Sequence, residues 1–199
     1  MLKILFVLFI LVFNSSSALA ELRSGDIIFH TSKSSQSRAV QLAMNSPYSH
    51  MGLILYKKGK PFVFEASKTV RYTPLKEWIQ RGVDGKYVVK RLKNEALLNP
   101  EKLSELFRVA ATFEGKPYDL YFEWSDERIY CSELVWKIYS KVLGLGIGKT
   151  NTFREFDLSH PHVKAKLKER YGDTLPLEEK VISPVAMFDS PLLVSVKGN

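Results

Sequence analysis

The stretch that decides the fold is YCSELVWKIYSKVLG, residues 130–144. Counted from Cys131, its apolar residues recur three or four positions apart, which is the period of a helix with one buried face; they are Leu134, Val135, Ile138, Tyr139 and Val142. Gly144 supplies a common helix stop. The pattern predicts a packed helix over 131–143 with Cys131 in its first turn, on the side that meets the rest of the protein.

Cys131 is the only cysteine in the sequence, so the chain forms no internal disulfide. A lone cysteine is either a small buried apolar residue or a thiol that is used. The start of a helix favours the second reading, because unpaired backbone N–H groups and the positive end of the helix dipole stabilise a thiolate there.

A thiol nucleophile needs a base, and His50 is the best placed of the four histidines. It opens a predicted strand, 50–56, directly after a polar loop, and a glycine follows two positions later. A histidine at the end of a strand is well placed to face a cleft.

The register of a predicted hairpin places Glu65 close to His50. If 57–60 form the loop between strands 50–56 and 62–66, Gly52 lies opposite Glu65 and His50 is one diagonal step away on the same face. A carboxylate in the apolar strand Phe-Val-Phe-Glu-Ala is costly to bury unless it is paired. We therefore predict that His50 and Glu65 pair, which a slip of one residue would prevent.

The remaining pattern indicates an α+β fold with an antiparallel sheet or barrel packed against helices. Strands are predicted over 25–29, 51–56, 62–66 and 87–92. Helices are predicted over 32–45, 75–80, 100–114 and 163–171, and no other regular structure is expected in the last fifty residues.

The first twenty residues are expected to be a signal peptide. Lys3 precedes an apolar run over 4–13, and Ala18-Leu19-Ala20 forms a small-x-small cleavage site. Cleavage after Ala20 predicts export to the periplasm or cell envelope, or secretion, as a single domain over 21–199 with no later membrane span. The net charge of +8 favours anionic cell-wall polymers or lipid headgroups as partners, and an exported protein seldom meets nucleic acid.

Other chemistries have weaker support in the sequence. No Gly-x-Ser-x-Gly string is present, which disfavours a serine hydrolase. His160 and His162 lack further ligands at metal-binding spacing, and the Gly-rich stretch 144–148 lacks the strand and Lys-Ser/Thr of a phosphate loop. We expect no metal and no cofactor.

Together these residues resemble the YiiX-like group of circularly permuted NlpC-type papain-like proteins, of which lecithin:retinol acyltransferase is a more distant relative. The resemblance covers nearly all of the chain after residue 20, with histidine before cysteine. It rests on five strings in that order: 25–29 (GDIIF), 48–52 (YSHMG), 64–66 (FEA), 115–119 (GKPYD) and 130–134 (YCSEL).

The resemblance implies a papain-like fold with Cys131 as the nucleophile at a helix N-terminus. It implies that His50 is the base and Glu65 the polar residue that orients it. Tyr118 matches a tyrosine that NlpC-type enzymes place near the oxyanion, although Tyr48 and Tyr130 also lie near the motifs.

The function expected from this is a cysteine peptidase or amidase that forms a thioester intermediate. Its substrate would be an amide bond in peptidoglycan peptides. The protein is expected to be a monomer. One alternative is a lipid-directed thioesterase, acyltransferase or phospholipase that uses Cys131, His50 and Glu65. The other is a catalytically inactive member of the family that only binds a ligand. The absence of an amphipathic membrane helix in the sequence pattern favours the peptide substrate.

Overall fold

The computed structural model describes residues 21–198, and its centre is a six-stranded sheet in the order β4-β3-β2-β1-β5-β8, with every neighbouring pair antiparallel. The sheet is open, and β4 and β8 are its edges. Its strands are β1 (Ile27–His30), β2 (His50–Lys57), β3 (Lys60–Ala66), β4 (Val70–Pro74), β5 (Val88–Leu92) and β8 (Leu193–Gly198). A separate two-stranded ladder joins β6 (Asn151–Thr152) and β7 (Lys180–Val181).

Six α-helices accompany these strands in the described part of the chain: α1 (Ser37–Met44), α2 (Leu75–Gln80), α3 (Pro100–Ala111), α4 (Cys131–Leu143), α5 (Pro161–Tyr171) and α6 (Pro184–Phe188). Short 3-10 turns occupy Val83–Gly85, Glu95–Leu98 and Phe153–Glu155. None of the helices within residues 21–198 is both long and apolar enough to span a bilayer. The α+β class predicted from the sequence is confirmed.

The main core lies between one face of the sheet and α4. Leu134, Val135 and Ile138 of α4 are fully buried, and they belong to one apolar cluster with Met51 and Leu53 of β2. Burying each such side chain stabilises the fold by about 1.5–3 kcal/mol. This packing fixes the first turn of α4, and with it Cys131, against the sheet.

The helix α4 matches its predicted bounds, and its end has the expected cause. Gly144 adopts the left-handed conformation at φ 67°, which favours glycine, and its N–H donates to the Ser140 carbonyl. At the other end Glu133 is buried, accepts from the Tyr130 N–H at 3.3 Å, and pairs with Lys137 at 2.7 Å. These contacts anchor the first turn.

The β2–β3 hairpin has the predicted register, with Tyr56 opposite Pro61 and Leu53 opposite Phe64. The predicted four-residue loop is wrong, because Lys57 and Lys60 also pair and leave a two-residue turn. Lys58 and Gly59 both have positive φ, which is the geometry of the tight turns that suit the twist of a hairpin. Shortening the loop from both ends by one residue leaves the register unchanged.

Several predicted bounds differ from the structure. Helix α1 begins at Ser37 instead of residue 32, because the serines before it form turns in which the Ser34 N–H donates to the Ser32 hydroxyl. Helix α3 ends at Ala111 instead of 114, where the Thr112 hydroxyl bonds to the Val109 carbonyl. The strand predicted over 25–29 lies at Ile27–His30 (β1), and the strand predicted over 87–92 begins one residue later, at Val88 (β5).

Four strands (β4, β6, β7 and β8) and one helix (α6) are absent from the sequence prediction. Strand β4 has too irregular a pattern to be recognised, and it forms by pairing with β3. The last fifty residues contain β6, β7, α6 and β8 besides α5, and β8 pairs with β5. Strand β8 gains its hydrogen bonds from a strand far away in sequence, and β4 gains them from β3 across a short turn; the local pattern of neither strand reveals this. The predicted signal peptide, residues 1–20, lies outside the described residues.

Candidate active site

Cys131 is the first residue of α4 and is 5% exposed. The preceding Tyr130 is extended, at φ −101° and ψ 169°, so the helix begins abruptly at the cysteine. The first helical hydrogen bond runs from the Leu134 N–H to the Tyr130 carbonyl. The backbone N–H groups of the first turn therefore have no acceptor within the helix and can stabilise negative charge beside the sulfur.

His50 lies between the cysteine and a carboxylate. Its Nε2 atom is 2.6 Å from Oε2 of Glu65, and its ring is also hydrogen-bonded to the Cys131 side chain. Since Nε2 faces Glu65, Nδ1 is the ring nitrogen available to the thiol. Burial opposes protonation of the ring, but the bonds to Cys131 and Glu65 outweigh it and raise the pKa of His50 to about 9.

Glu65 is fully buried on the sheet face that packs against α2 and has four partners there. Besides His50, its oxygens accept from the Thr73 hydroxyl at 2.6 Å, from Trp78 Nε1 at 3.0 Å and from the Arg81 guanidinium. Burial alone would raise its pKa, but the bond and charge of His50, the bond from Thr73 and the charge of Arg81 lower the pKa of Glu65 to about 2. The carboxylate therefore stays ionised at neutral pH.

The sequence analysis identified His50, Glu65 and Cys131 but not the three residues that hold the carboxylate. Thr73 comes from β4, Trp78 from α2 and Arg81 from the residue after α2. Only the isolation of Glu65 in an apolar strand signals that such partners must exist. That signal does not say which segment supplies them.

A second histidine, His30, packs beside the first. Its ring stacks on Trp78 at a centroid distance of 3.8 Å, and its centroid lies 5.4 Å from that of His50. Burial and the positive charges of His50 and Arg81 lower the pKa of His30 to about 3, so it is neutral. Gly82 makes room for it, since a Cβ at that position would lie 2.8 Å from His30 Nδ1.

The three candidate tyrosines differ in position. Tyr118 lines the cavity beside Cys131, and its hydroxyl accepts from Gln36 Nε2 at 3.4 Å. Burial and the charge of Cys131 raise the pKa of Tyr118 well above its usual value, so the hydroxyl keeps its proton. It is the tyrosine best placed to donate to an oxyanion near the sulfur.

Tyr130 and Tyr48 have structural contacts instead. The Tyr130 hydroxyl accepts from the Ile182 N–H at 3.0 Å, although the ring lines the same cavity. Tyr48 stacks on Phe188 at 4.2 Å and meets Phe29 edge to face, and it lines neither cavity next to Cys131. The structure thus does not bring Tyr48 to the site, because α6 packs over its ring.

An apolar cavity opens on one side of Cys131, between α1, α5 and the start of α4. It encloses about 750 Å³ including its open mouth. Aliphatic and aromatic side chains form most of its wall, with Lys166 and Arg170 of α5 also lining it; the apolar lining includes Val40, Met44, Phe122, Phe153, Phe156, Leu158, Val163, Leu167 and Ile182. A wall of this kind is suited to an apolar part of a ligand bound beside Cys131.

The other two histidines, His160 and His162, line neither of the two cavities that adjoin Cys131 and His50. His160 caps α5 by accepting from the His162 N–H at 3.1 Å. Within residues 21–198, no three His, Cys, Asp or Glu side chains gather where they could hold a metal ion.

A thiol at a helix N-terminus and a histidine that begins a strand and pairs with a carboxylate are features of papain-like proteins. Here the histidine precedes the cysteine in the chain, which is the order of the circularly permuted class. Residues 21–197 match the family described as "Permuted papain-like amidase enzyme, YaeF/YiiX, C92 family", and the chain belongs to this family. The resemblance noted in the sequence is confirmed.

Two relatives agree with this assignment. The chain is 53% identical to the protein YiiX of Escherichia coli (strain K12) over 174 residues, which cover 87% of this chain and 85% of that protein. It is also similar to the crystal structure of "metalloprotein yiiX" from Escherichia coli O157:H7, with 52% identity and a TM-score of 0.86 over 89% of this chain and 97% of that one.

Proposed function

We propose that this protein is a cysteine hydrolase that cleaves an amide bond, with Cys131 as nucleophile, His50 as base and acid, and Glu65 as the group that orients the imidazole. The observation that carries the proposal is the unbroken hydrogen-bonded chain from Glu65 through His50 to Cys131 at the wall of a cavity. With its pKa raised to about 9, His50 is protonated at neutral pH and can pair with a thiolate.

The reaction runs in two halves. In the first, the thiolate attacks the carbonyl carbon and forms a C–S bond, and the oxyanion accepts from the Cys131 N–H and the Tyr118 hydroxyl. The C–N bond then breaks as the nitrogen takes the proton of the His50 imidazolium. In the second, His50 removes a proton from water, the hydroxide attacks the thioester, and the acid leaves while the thiolate is restored.

The cavity favours an apolar acyl group as the part of the substrate that becomes the thioester. Its wall offers few polar partners, whereas the stem peptides of peptidoglycan carry carboxylates and amines that would lose hydration there. We therefore place the lipid-directed function ahead of the cell-wall peptide expected from the sequence. The family description as an amidase supports an amide as the scissile bond.

No step of this mechanism uses a metal ion. The solved relative is described as a metalloprotein. The residues of this chain described in the structure do not fit such a site, because His50 and Glu65 are committed to one another and no third ligand joins them.

We further propose that the protein acts in the periplasm or cell envelope as a monomer after removal of residues 1–20. The N-terminal sequence of protein recovered from the periplasm should begin at Glu21. Protein that retains Met1, or that is found only in the cytoplasm, would contradict export.

The decisive experiment is to trap the acyl-enzyme. The purified protein is incubated with an N-dodecanoyl amide, with a dodecanoyl ester and, separately, with muropeptides, and the intact mass is then measured. We expect a dodecanoyl adduct on Cys131 and none in Cys131→Ala. An adduct formed only with muropeptides would show that the substrate is a cell-wall peptide and not a lipid amide. The absence of any adduct, together with full activity of Cys131→Ala, would overturn the mechanism.

A further inference from the structure

A second cleft opens beside the catalytic residues, on the His50 side. Its lining is polar and basic, whereas the lining of the first cavity is mostly apolar. Gln36, Ser49 and Tyr118 line both, so the two spaces meet at the reacting centre. The polar cleft is walled by the β1–α1 loop, the β3–β4 turn and the end of α2, and His50 also lines it.

The lining of this cleft carries positive charge and hydroxyl groups without a carboxylate. Lys33, Lys68 and Arg81 supply the cations, and six serines supply hydroxyls. Arg81 is paired with Glu65, but neither lysine forms an ion pair with a carboxylate among residues 21–198. Such a surface attracts an anion and offers it hydrogen bonds.

The two lysines flank the cleft from different walls. Lys33 belongs to the β1–α1 loop, where its ammonium reaches the Gln80 carbonyl at 3.4 Å. Lys68 belongs to the β3–β4 turn, where its carbonyl accepts from the Tyr118 N–H at 3.0 Å. An anion between these walls would therefore lie next to the tyrosine and the histidine that act on the scissile bond.

Unpartnered polar atoms also lie in the wall of the same cleft. In the part of the chain that the structure describes, three buried side-chain atoms without a hydrogen-bond partner belong to residues that line this cleft: His30 Nδ1, Ser67 Oγ and Arg81 Nε. These three atoms are themselves buried, so they add polar character to the wall behind the cleft and are not groups that a ligand in the cleft would touch.

We propose that this cleft binds an anionic leaving group, so that the substrate is an amphipathic N-acyl amine. Its apolar acyl chain would occupy the first cavity, its carbonyl would lie at Cys131, and its amine portion would carry a carboxylate or a phosphate between Lys33 and Lys68. When the C–N bond breaks, the amine takes its proton from His50 and remains in the polar cleft with its anion. This inference rests on the proposed function, which it extends to the leaving group.

Two matched pairs of amides test the inference. N-dodecanoylglycine is compared with neutral N-dodecanoylglycinamide, and N-dodecanoyl-phosphoethanolamine with neutral N-dodecanoylethanolamine. We expect kcat/KM to favour the anionic member of at least one pair by about tenfold, which is what two partly exposed ion pairs provide together. The pair with the larger preference identifies carboxylate or phosphate as the anion.

The variant Lys33→Gln/Lys68→Gln should reduce that preference to less than about threefold. The control Lys60→Gln/Lys76→Gln removes the same charge from exposed positions at the start of β3 and in α2, and it should keep the native preference. Equal hydrolysis of both members of both pairs, or a native preference in the cleft variant, would overturn the inference.

Binding to Cys131→Ala separates this inference from the hydrolase mechanism. The same four amides are titrated calorimetrically into Cys131→Ala with and without the two lysine substitutions. Anion-selective binding that needs Lys33 and Lys68 supports the cleft even when the native protein hydrolyses none of the amides. Hydrolysis or binding without selectivity for the anion refutes the cleft while leaving the proposed function in place.

Discussion

The Nε2 atom of His50 lies 2.6 Å from Oε2 of Glu65, across the β2–β3 hairpin and on one face of the sheet. The carboxylate is completely buried, yet Thr73, Trp78 and Arg81 hold it in its ionised form. The imidazole is thereby fixed in orientation and made more basic, with its other ring nitrogen turned to Cys131. The properties of this pair lead to the first two predictions.

Glu65→Gln keeps the shape of the side chain and removes its charge. The pKa of His50 should then fall below its native value of about 9, because the largest nearby negative charge apart from Cys131 is lost. We expect kcat/KM to fall by about 10²–10⁴, as when the orienting carboxylate of other triads becomes an amide. Steady-state rates across pH measure both effects, and exposed Glu77→Gln in α2 is the control. A rate within twofold of native would count against an orienting role.

The native rate should depend on pH as a bell-shaped curve. The pKa of His50 is raised to about 9, so the imidazolium is present below that pH and is lost as the pH rises through it, which removes the proton that the leaving nitrogen needs. The alkaline limb is therefore expected near pH 9, and on the acid side the rate falls as the thiolate–imidazolium pair gains a proton. A kcat/KM profile that is flat from acid to alkaline pH contradicts the ion-pair mechanism.

Tyr118→Phe tests whether the hydroxyl stabilises the oxyanion. The hydroxyl keeps its proton because burial raises its pKa, so it can donate throughout the working range. We expect kcat to fall by about 10²-fold with little change in KM, since the bond is made only when negative charge develops on the carbonyl oxygen. Tyr48→Phe, whose ring packs on Phe188 outside both cavities, should retain native kinetics. Equal effects of the two substitutions on kcat would show that the Tyr118 hydroxyl does not stabilise the oxyanion.

Gly52→Ala should destabilise the hairpin that joins His50 to Glu65. A Cβ at residue 52 would lie 2.4 Å from Val63 Cγ1 and 2.9 Å from the Phe64 carbonyl oxygen, so the strands must move apart. We expect the free energy of unfolding to fall by about 1–3 kcal/mol. Gly146→Ala is the matched control, because its Cβ would lie at an ordinary 3.4 Å from Trp136. Denaturant unfolding curves give both values, and equal stability of the two variants would show that the site tolerates a wider spacing.

The sequence predicted the parts of the site that depend on local periodicity. The bounds of α4 follow from the apolar repeat after Cys131 and the stop at Gly144, and both signals lie within one segment. The pairing of His50 with Glu65 follows from a hairpin, whose register is fixed by two adjacent strands and a short turn. Even the error in loop length left the register intact, since one residue was reassigned on each side.

Other contacts could not be predicted because they join separate segments. Thr73, Trp78 and Arg81 occur in a strand, a helix and a loop with no shared motif, and only the packing of α2 and β4 against β3 brings them to Glu65. Tyr48 and Tyr118 both lie near motifs in the sequence, and only the family resemblance favours Tyr118 there. The fold separates them, because Tyr118 borders the cavity and α6 covers Tyr48.

The sequence by itself thus determined the helix that begins at Cys131, the strand that begins at His50 and the carboxylate that pairs with His50, since each depends on spacing along a short stretch of chain. Only the tertiary structure decided the surroundings: an apolar cavity on one side of Cys131 and a basic, hydroxyl-lined cleft on the other. Those surroundings are formed by α1, α5 and the loops, whose relative positions depend on how distant surfaces bury one another. The physical character of a binding site is set by that packing, and no local pattern contains it.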